Sequence, residues 1–397
     1  MSLSKFLILL TSFCIASYAD IYAFYHKALD TLVLKKQLTL EREAARLRQE
    51  AIASRRYGAF RLDAAYSDTR ADLLPHHFET IDIALTDNLD LFNKKRYAIA
   101  SAALDLRAKK SQLDSIRERL FRSLVAMIAS YRAADAKWRF AATLYREEAA
   151  IYRELRALRR QGGVSDTDLW RFKNSLVLLK TKIIAQKAIV RKMRRSLRLY
   201  APDEKIPALE RALRYSRKAF CAFNPRALGK KIEADQSKIA AKALHDRYLP
   251  EFHISVGYEK LGDPTSYGDN YSLGIGMQMP LNRGDLKESE ALRLRALRMQ
   301  SELGRYDLQR AQEYITLAQD IQSAQKQMKL LEQNFRAWLK HRARMKNAYL
   351  KRLIDFNSYE QVLAQTLLLQ ERIVDLRYRS RKEATILNGV ASGKIYE

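Results

Sequence analysis

Hydrophobic positions in this chain follow two different periods. In the stretches 93–200 and 281–397, which contain no proline, apolar residues recur at helical spacing, mostly three, four or seven positions apart. The first stretch shows this spacing at Leu104, Ala108, Leu113, Ile116, Leu120, Leu124 and Met127, and the second at Leu317, Ile321, Met328, Leu331, Phe335, Trp338 and Leu339. Such spacing is typical of one face of an α-helix. A helix over 94–160 would be about 100 Å long, which predicts coiled coils or a helical barrel rather than a compact domain.

Shorter segments alternate strictly between apolar and polar residues, as half-buried β-strands do. In 251–260 and 272–279 this alternation predicts a β-hairpin over about 251–282, with a turn at Gly262-Asp263-Pro264 and Gly268-Asp269-Asn270. Residues 60–67 and 81–86 alternate in the same way and predict a hairpin over about 59–90, whose loop holds Pro75-His76-His77. Each predicted strand has about 9–11 residues, enough to cross a bilayer at a tilt.

The chain repeats this pattern at an interval of 192 residues, which separates Tyr66 from Tyr258. In the first copy, Gly162-Gly163 breaks the long helix, and Ser165 with Asp168 predicts an N-cap and the acid at the third helical position. In the second copy, Asn357 and Glu360 stand at the equivalent positions and predict the same arrangement. The sequence therefore predicts a tandem repeat of helix, β-hairpin, very long helix, tight turn and helix.

The N-terminus has the composition of a secretory signal. Lys5 precedes an apolar run from Phe6 to about Ala16, and Ser17 and Ala19 are the small residues of a cleavage site. No later apolar run reaches the roughly 18 residues of a membrane-spanning helix. The predicted segments are a signal peptide at 1–19, a first repeat at 20–200 with a helical tip at about 161–168, a linker at 201–223, a second repeat at 224–390 with a tip at about 354–360, and a C-terminal tail at 391–397.

Two hairpins supply four strands, too few to close a membrane barrel, which needs about eight. Strand edges left open in lipid would cost several kcal/mol for each unsatisfied backbone group. If the hairpins enter a membrane, several chains must therefore share one barrel, and three chains would supply twelve strands. The alternative is that the hairpins cap a soluble coiled coil.

Several short motifs, in this order and spacing, resemble the TolC family of outer-membrane efflux proteins over essentially the whole mature chain. They are Leu91-Phe92-Asn93-Lys94-Lys95 after the first hairpin, Asn224-Pro225-x-x-Leu228 at the start of the second repeat, Leu249-Pro250-x-Phe252 before the second hairpin, Tyr271–Gly276 followed by Met279-Pro280-Leu281-Asn282-Arg283-Gly284, and Leu387-Asn388-Gly389 as the stop of the final helix.

The resemblance implies a mixed α+β membrane protein: a homotrimer whose twelve-stranded β-barrel lies in the outer-membrane lipid and continues as a periplasmic α-helical barrel. Such a channel receives cargo from an inner-membrane pump through a periplasmic adaptor protein. By the same resemblance, the adaptor docks at tip residues and acidic residues hold the periplasmic entrance closed. The adaptor-docking residues would be Gly162, Gly163, Val164, Ser165, Phe356 and Asn357, and the gate residues Asp166, Asp168, Asp355 and Glu360. Leu363 replaces the second acid of TolC itself, and simple helix capping is the alternative role for Asp168 and Glu360.

Charge raises a separate question, because 72 Lys and Arg against 45 Asp and Glu give a net charge of +27. Such an excess suggests a polyanionic partner. The predicted export argues against nucleic acid as this partner. The alternative to a channel is then a secreted or periplasmic coiled-coil scaffold that binds an anionic polymer. If the N-terminus is not cleaved, an intracellular nucleic-acid-binding coiled coil is favoured instead. Many of the basic residues lie on the predicted long helices: Arg117, Arg119, Arg122, Arg153, Arg156, Arg159, Arg160, Arg191, Lys192, Arg194 and Arg195. They face either the outer, solvated surface of the helices or the lumen, and we expect the outer surface.

Motifs of enzyme chemistry do not occur in the sequence. It contains no glycine-rich phosphate loop, zinc-ligand spacing or nucleophile elbow, so we expect neither catalysis nor a cofactor. The pair His76-His77 is interpreted as a solvated loop pair. Tyrosines near the predicted strand ends suggest an interfacial aromatic girdle: Tyr66, Tyr258, Tyr267 and Tyr271.

Overall fold

The computed structural model describes residues 20–32, 34–54, 61–70, 77–160, 164–263, 266–279 and 283–396. The predicted signal peptide, Gly162, Gly163 and His76 lie outside these ranges. The elements are α1 (Ile21–Thr31), α2 (Leu34–Ser54), β1 (Arg61–Arg70), β2 (His77–Leu89), α3 (Lys95–Arg160), α4 (Asp166–Tyr200), α5 (Arg217–Cys221), α6 (Pro225–His245), a 3₁₀ turn (Asp246–Tyr248), β3 (Glu251–Asp263), β4 (Ser266–Gln278), α7 (Arg283–Leu350) and α8 (Phe356–Ser392).

The two very long helices predicted from the apolar spacing are present. Helix α3 has 66 residues and α7 has 68, and each is followed by a returning helix. Ser165 caps α4 as predicted, because its side chain accepts a hydrogen bond from the amide of Asp168.

The predicted cap of the last helix is wrong. Asp355, not Asn357, caps α8, and its carboxylate accepts from the amide of Ser358 at 3.0 Å. A carboxylate two residues earlier captures the same free N–H groups and starts the helix sooner. Glu360 consequently lies beyond the first helical turn and is not the capping acid that the repeat suggested.

The four strands form one antiparallel sheet in the order β1-β2-β3-β4. Strands β2 and β3 join the two predicted hairpins, with Ile83 opposite Tyr258. The turn predicted in the second hairpin is wrong in extent, because β3 runs to Asp263 and β4 starts at Ser266. Gly268 therefore lies within the ladder, opposite Leu261, because cross-strand pairing extends the strands through these glycines.

The chain forms two compact units that do not coincide with the two repeats. The described residues of Met1–Lys36, Ser115–Asn224 and Leu308–Glu397 form one unit, and those of Gln37–Asp114 and Pro225–Asp307 form the other. The second unit contains the whole sheet. Each unit thus draws segments from both repeats, and the duplication is expressed within each unit rather than as two separate domains.

In the first unit, a hydrophobic core forms around Phe121, whose side chain is fully buried. Gly389 of α8 lies against this ring, and a Cβ atom there would come within 2.4 Å of it. The prediction that Leu387-Asn388-Gly389 ends the final helix is therefore wrong. The glycine permits close packing against Phe121, and the helix continues to Ser392.

The inter-repeat linker is fixed to α8 by hydrogen bonds. The amide of Glu210 donates to Thr385 Oγ1 at 2.9 Å, and the amide of Arg214 donates to Asn388 Oδ1 at 2.8 Å. The segment predicted as a tail is also packed, since Ile395 is fully buried. Linker and C-terminus thus belong to the body of this unit.

A buried ionic network joins equivalent positions of the two repeats. Arg310 of α7 is only 7% exposed and donates to Glu118 of α3, 192 residues earlier, at 2.7 Å. Arg122 bridges Glu118 and Glu313, and the Tyr396 hydroxyl donates to Glu118 at 2.7 Å. Burial alone would raise the pKa of Glu118, but the hydrogen bond from Arg310 and the charges of Arg122 and Arg310 lower it to about 2.

We predict that Glu118 makes stability pH-dependent. Its pKa lies at about 2 in the folded chain against 4.5 ordinarily, so its contribution is full above pH 4.5 and is lost as the pH falls towards 2. The shift corresponds to about 3 kcal/mol. Urea unfolding between pH 7 and pH 3 should therefore show a decline that Glu118→Gln flattens. At neutral pH this substitution should cost about 3–5 kcal/mol, because Arg310 loses its main carboxylate partner.

The control is Glu302→Gln, which removes the partner of the exposed Arg298 and should cost at most about 1 kcal/mol. If the free energy of unfolding falls equally steeply between pH 7 and pH 3 in Glu118→Gln and in the wild type, Glu118 is not the group that makes stability pH-dependent.

Candidate functional site

One face of the sheet is exposed and mostly apolar, with Asp87, opposite Ile254, as a charged residue on it. Residues directly opposite each other in an antiparallel ladder point to the same face, and the register aligns Leu62, Leu85, Val256 and Leu273 in one row across all four strands. Leu273 is 77% exposed. Further exposed apolar residues of this face are Tyr66, Ile81, Ile83, Tyr271, Ile275 and Met277. A contiguous exposed apolar surface marks contact with a membrane or a partner.

Aromatic residues stand at both ends of this apolar band. At one end the rings of Tyr258 and Tyr271 are 5.3 Å apart, and the Tyr258 hydroxyl donates to Asp269 at 2.8 Å. At the other end Phe252 packs against Phe92, with ring centroids 6.3 Å apart. This arrangement is typical of strands whose apolar middle is flanked by interfacial aromatic belts.

The opposite face of the sheet is polar and lined by small residues. Asp82 stands opposite Glu259, and His253 stands opposite Gly276. The His253 ring occupies the space of a missing side chain, because a Cβ atom at Gly276 would lie 2.0 Å from Nε2. The sheet therefore has one face suited to an apolar surrounding and one suited to water.

At the helical tips, the start of α4 and the connection between α7 and α8 enclose a cleft of about 480 Å³. Of the predicted tip residues, the cleft brings together Val164, Ser165, Asp168, Asp355 and Phe356. The other described tip residues do not line it: Asp166, Asn357 and Glu360.

The predicted gate acids have different local roles. Asp168 accepts from the Ser165 hydroxyl at 2.9 Å, and Asp166 pairs with Arg159 at 2.5 Å. The hydrogen bond from Ser358 lowers the pKa of the capping carboxylate Asp355. These three acids stabilise the helix ends, whatever further role they have.

An aromatic cluster packs beside the tip cleft. Phe172 of α4 lies within 6.4 Å, between ring centroids, of Tyr349, Phe356 and Tyr359, and Tyr349 stacks on Tyr359 at 5.3 Å. Burial and the charge of Asp168 raise the pKa of Tyr349 to about 12. Sequence reasoning missed this cluster, although the concentration of aromatic residues near both tips was a visible indication.

A buried polar contact connects α3, α7 and α8 beside these rings. The Tyr359 hydroxyl donates to Glu148 at 2.9 Å, and Arg342 pairs with the same carboxylate at 2.7 Å. Glu148 is fully buried, and burial raises its pKa despite the two donors. We call these three residues the tip lock. Nothing in the sequence distinguished Glu148 from the neighbouring helical acids.

The connection after α7 forms a Schellman turn with an arginine in an unusual conformation. The Leu353 amide donates to the Ala348 carbonyl at 2.8 Å and the Arg352 amide to the Tyr349 carbonyl at 3.0 Å. Arg352 has a φ of 61°, the left-handed region in which a side chain is unfavourable.

We predict that Arg352→Gly stabilises this tip by up to about 1 kcal/mol, because glycine adopts the left-handed conformation without a Cβ penalty. Thermal unfolding should show a higher midpoint for Arg352→Gly. Arg352→Ala keeps the Cβ atom and serves as the control, with no gain expected. Equal shifts in both variants would show that the backbone conformation is not the cause.

Within the described helices, no segment is both long and apolar enough to cross a membrane.

No family model matches this sequence, and no curated protein matches it. Solved structures do match. The outer membrane protein VceC of Vibrio cholerae is 14% identical, with 94% of this chain and 95% of that chain covered and a TM-score of 0.78. The outer-membrane channel OprN is 15% identical over 95% and 91%, with a TM-score of 0.76. The CmeC outer membrane channel of Campylobacter jejuni is 12% identical over 94% and 86%, with a TM-score of 0.72.

The chain therefore has the fold of outer-membrane channel proteins. The resemblance to the TolC family and the mixed α+β fold class are confirmed at the level of the fold.

Proposed function

We propose that this protein is the subunit of a homotrimeric outer-membrane channel, a passive exit duct that extends into the periplasm. The observation that carries the proposal is the two-faced sheet. Its exposed apolar face, bounded by Tyr258 and Tyr271 at one end and Phe252 at the other, suits the lipid. Its polar face with small residues suits a water-filled lumen.

The trimer follows from the edges of the sheet. Strands β1 and β4 are the outer strands, and an apolar surrounding does not tolerate their unpaired backbone groups. Three copies joined β4 to β1 supply twelve strands and leave no edge. Strand β3 has 13 residues and is therefore about 43 Å long at 3.3 Å per residue. Tilted by about 45°, it spans about 30 Å, enough to cross the roughly 25 Å apolar band of outer-membrane barrels.

Transport by such a duct requires an energised partner. By resemblance to the TolC family, an inner-membrane pump supplies the cargo through a periplasmic adaptor that docks at the tips. The tip cleft supports this role, because it places the apolar Val164 and the exposed Leu353 beside the polar Ser165 and Asp355, a mixture suited to a protein partner. The predicted docking residue Phe356 is buried. Efflux of small solutes and secretion of a polypeptide are both served by this architecture.

We predict that the protein is recovered from outer-membrane fractions as trimers that need detergent and resist heat, and that these trimers conduct ions in planar bilayers.

Leu273→Lys puts a charge at the centre of the apolar face and should cost about 2–4 kcal/mol per chain, with loss of membrane-inserted trimer.

The matched control is Ser272→Lys, which adds the same charge one residue away on the polar face. It should keep the trimer and change only the conductance. Recovery of wild-type protein in soluble form without detergent would instead favour the alternative, a periplasmic coiled-coil scaffold that binds an anionic polymer.

For gating, we propose that contacts near the tips set the closed state and that the helices separate like an iris. The tip lock supports this, because Glu148, Arg342 and Tyr359 come from three different helices. Asp168 lines the tip cleft, and Glu360 lies one turn into α8.

We predict that the double variant Asp168→Ala, Glu360→Ala increases single-channel conductance, because it removes acids that hold the entrance closed. The control is Asp203→Ala, Glu204→Ala, which removes two exposed acids of the linker and should leave conductance unchanged. Unchanged conductance and unchanged dye leakage in the first variant would remove Asp168 and Glu360 from the gate.

A further inference from the structure

Helix α4 carries a run of positive charge without any acid. From residue 169 to residue 202 the chain contains no Asp or Glu. The bases in this interval are Arg171, Lys173, Lys180, Lys182, Lys187, Arg191, Lys192, Arg194, Arg195 and Arg198. The other long helices mix bases with acids, as Glu147, Glu148 and Glu154 do on α3. The basic excess of the protein is thus most one-sided on α4.

Four of these bases form a continuous stripe on one face. Arg191, Arg194, Arg195 and Arg198 have the spacing i, i+3, i+4 and i+7, which puts them side by side on a helix. All four are exposed, whereas Val190 and Leu197 of the same segment are buried in the core. We call these four residues the arginine stripe.

The arginine stripe has no counter-charge within the described part of the chain. No described carboxylate forms an ion pair with any of its members, in contrast to Lys182, which pairs with Glu371 at 2.6 Å. Like charges three and four residues apart on a helix repel each other and destabilise it. The helix dipole offsets this only in the last turn, at Arg198. The stripe therefore costs stability in the isolated chain.

The composition of the arginine stripe indicates the kind of anion that would compensate this cost. Arginine presents a planar fork that binds carboxylates and phosphates in a bidentate manner, and it is not interchangeable with lysine in that role. After Arg171, the bases of α4 are lysines up to Lys187. Arginines predominate from Arg191 onwards, where the basic residues are most closely spaced. A polymer with repeated anionic groups would bind several members at once.

We propose that the arginine stripe binds peptidoglycan through the carboxylates of its peptides. The proposal rests on the proposed function for its location, since an outer-membrane duct with a periplasmic part meets this polymer. Charge complementarity is the supporting observation. Anionic lipid is a poorer choice of partner, because the stripe belongs to the compact unit without the sheet.

The test is co-sedimentation of the full-length detergent-purified trimer with purified peptidoglycan sacculi. Wild type should pellet with sacculi at 50 mM NaCl and be released as the salt concentration rises, because the contacts are between exposed charges. The variant with Arg191, Arg194, Arg195 and Arg198 all changed to Gln should bind at least about tenfold more weakly. Sacculi whose carboxylates have been converted to amides should lose the wild-type protein to the same extent.

The matched control changes Arg153, Arg156, Arg159 and Arg160 of α3 to Gln. These exposed bases carry the same total charge but lie near Glu154 and Asp166, and the control should bind sacculi like wild type. Equal losses in both variants would overturn the proposal in favour of net charge alone. Equal binding of native and amidated sacculi, or of sacculi and DNA, would also overturn it. The conductance of the same trimers is measured separately. If the wild-type trimer conducts ions but does not bind sacculi, this proposal is wrong while the proposed channel function stands.

Discussion

The outer edges of a four-stranded sheet impose the constraint on which the rest of this architecture depends. Strands β1 and β4 pair on one side only within a chain, and the face between them exposes a row of aliphatic residues that includes Leu62 and Leu273. Water tolerates the edges but not such a face, whereas lipid tolerates the face but not the edges. Closure by further copies, as proposed above, would satisfy both requirements.

Duplication alone would produce two equivalent halves, and the structure shows how the halves became different. Glu118 and Arg310 stand at the same position of the two repeats and have opposite charges, so equivalent helices attract each other in the buried core. The tip turns differ as well, because a serine caps α4 and an aspartate caps α8. A buried pair of opposite charges favours the pairing of the two helices that carry it, and such pairs fit a chain whose two repeats share both compact units.

The large positive charge is distributed in two ways. Arg122 and Arg310 form ion pairs with Glu118 and Glu313 in a buried network, which links the two repeats. Most of the other bases on the long helices are exposed, and those of the arginine stripe face solvent without a counter-charge in the described chain. Arginine thus stabilises the core through ion pairs at one site, and at the other we propose that it binds an external polymer.

The periodic elements could be predicted from the amino-acid sequence, because helix and strand periods are local properties of apolar spacing. The sequence predicted the long helices, the two hairpins, the repeat and the Ser165 cap. The contacts between distant segments became visible in the folded chain. The tip lock of Glu148, Arg342 and Tyr359 depends on three helices meeting, Gly389 is explained by Phe121 and not by a helix end, and Asp355 rather than Asn357 caps α8 because backbone geometry selects among adjacent good caps. Pattern alone cannot predict the first two contacts, since each requires segments far apart in sequence to share one space. It also cannot distinguish two neighbouring residues that are both good caps.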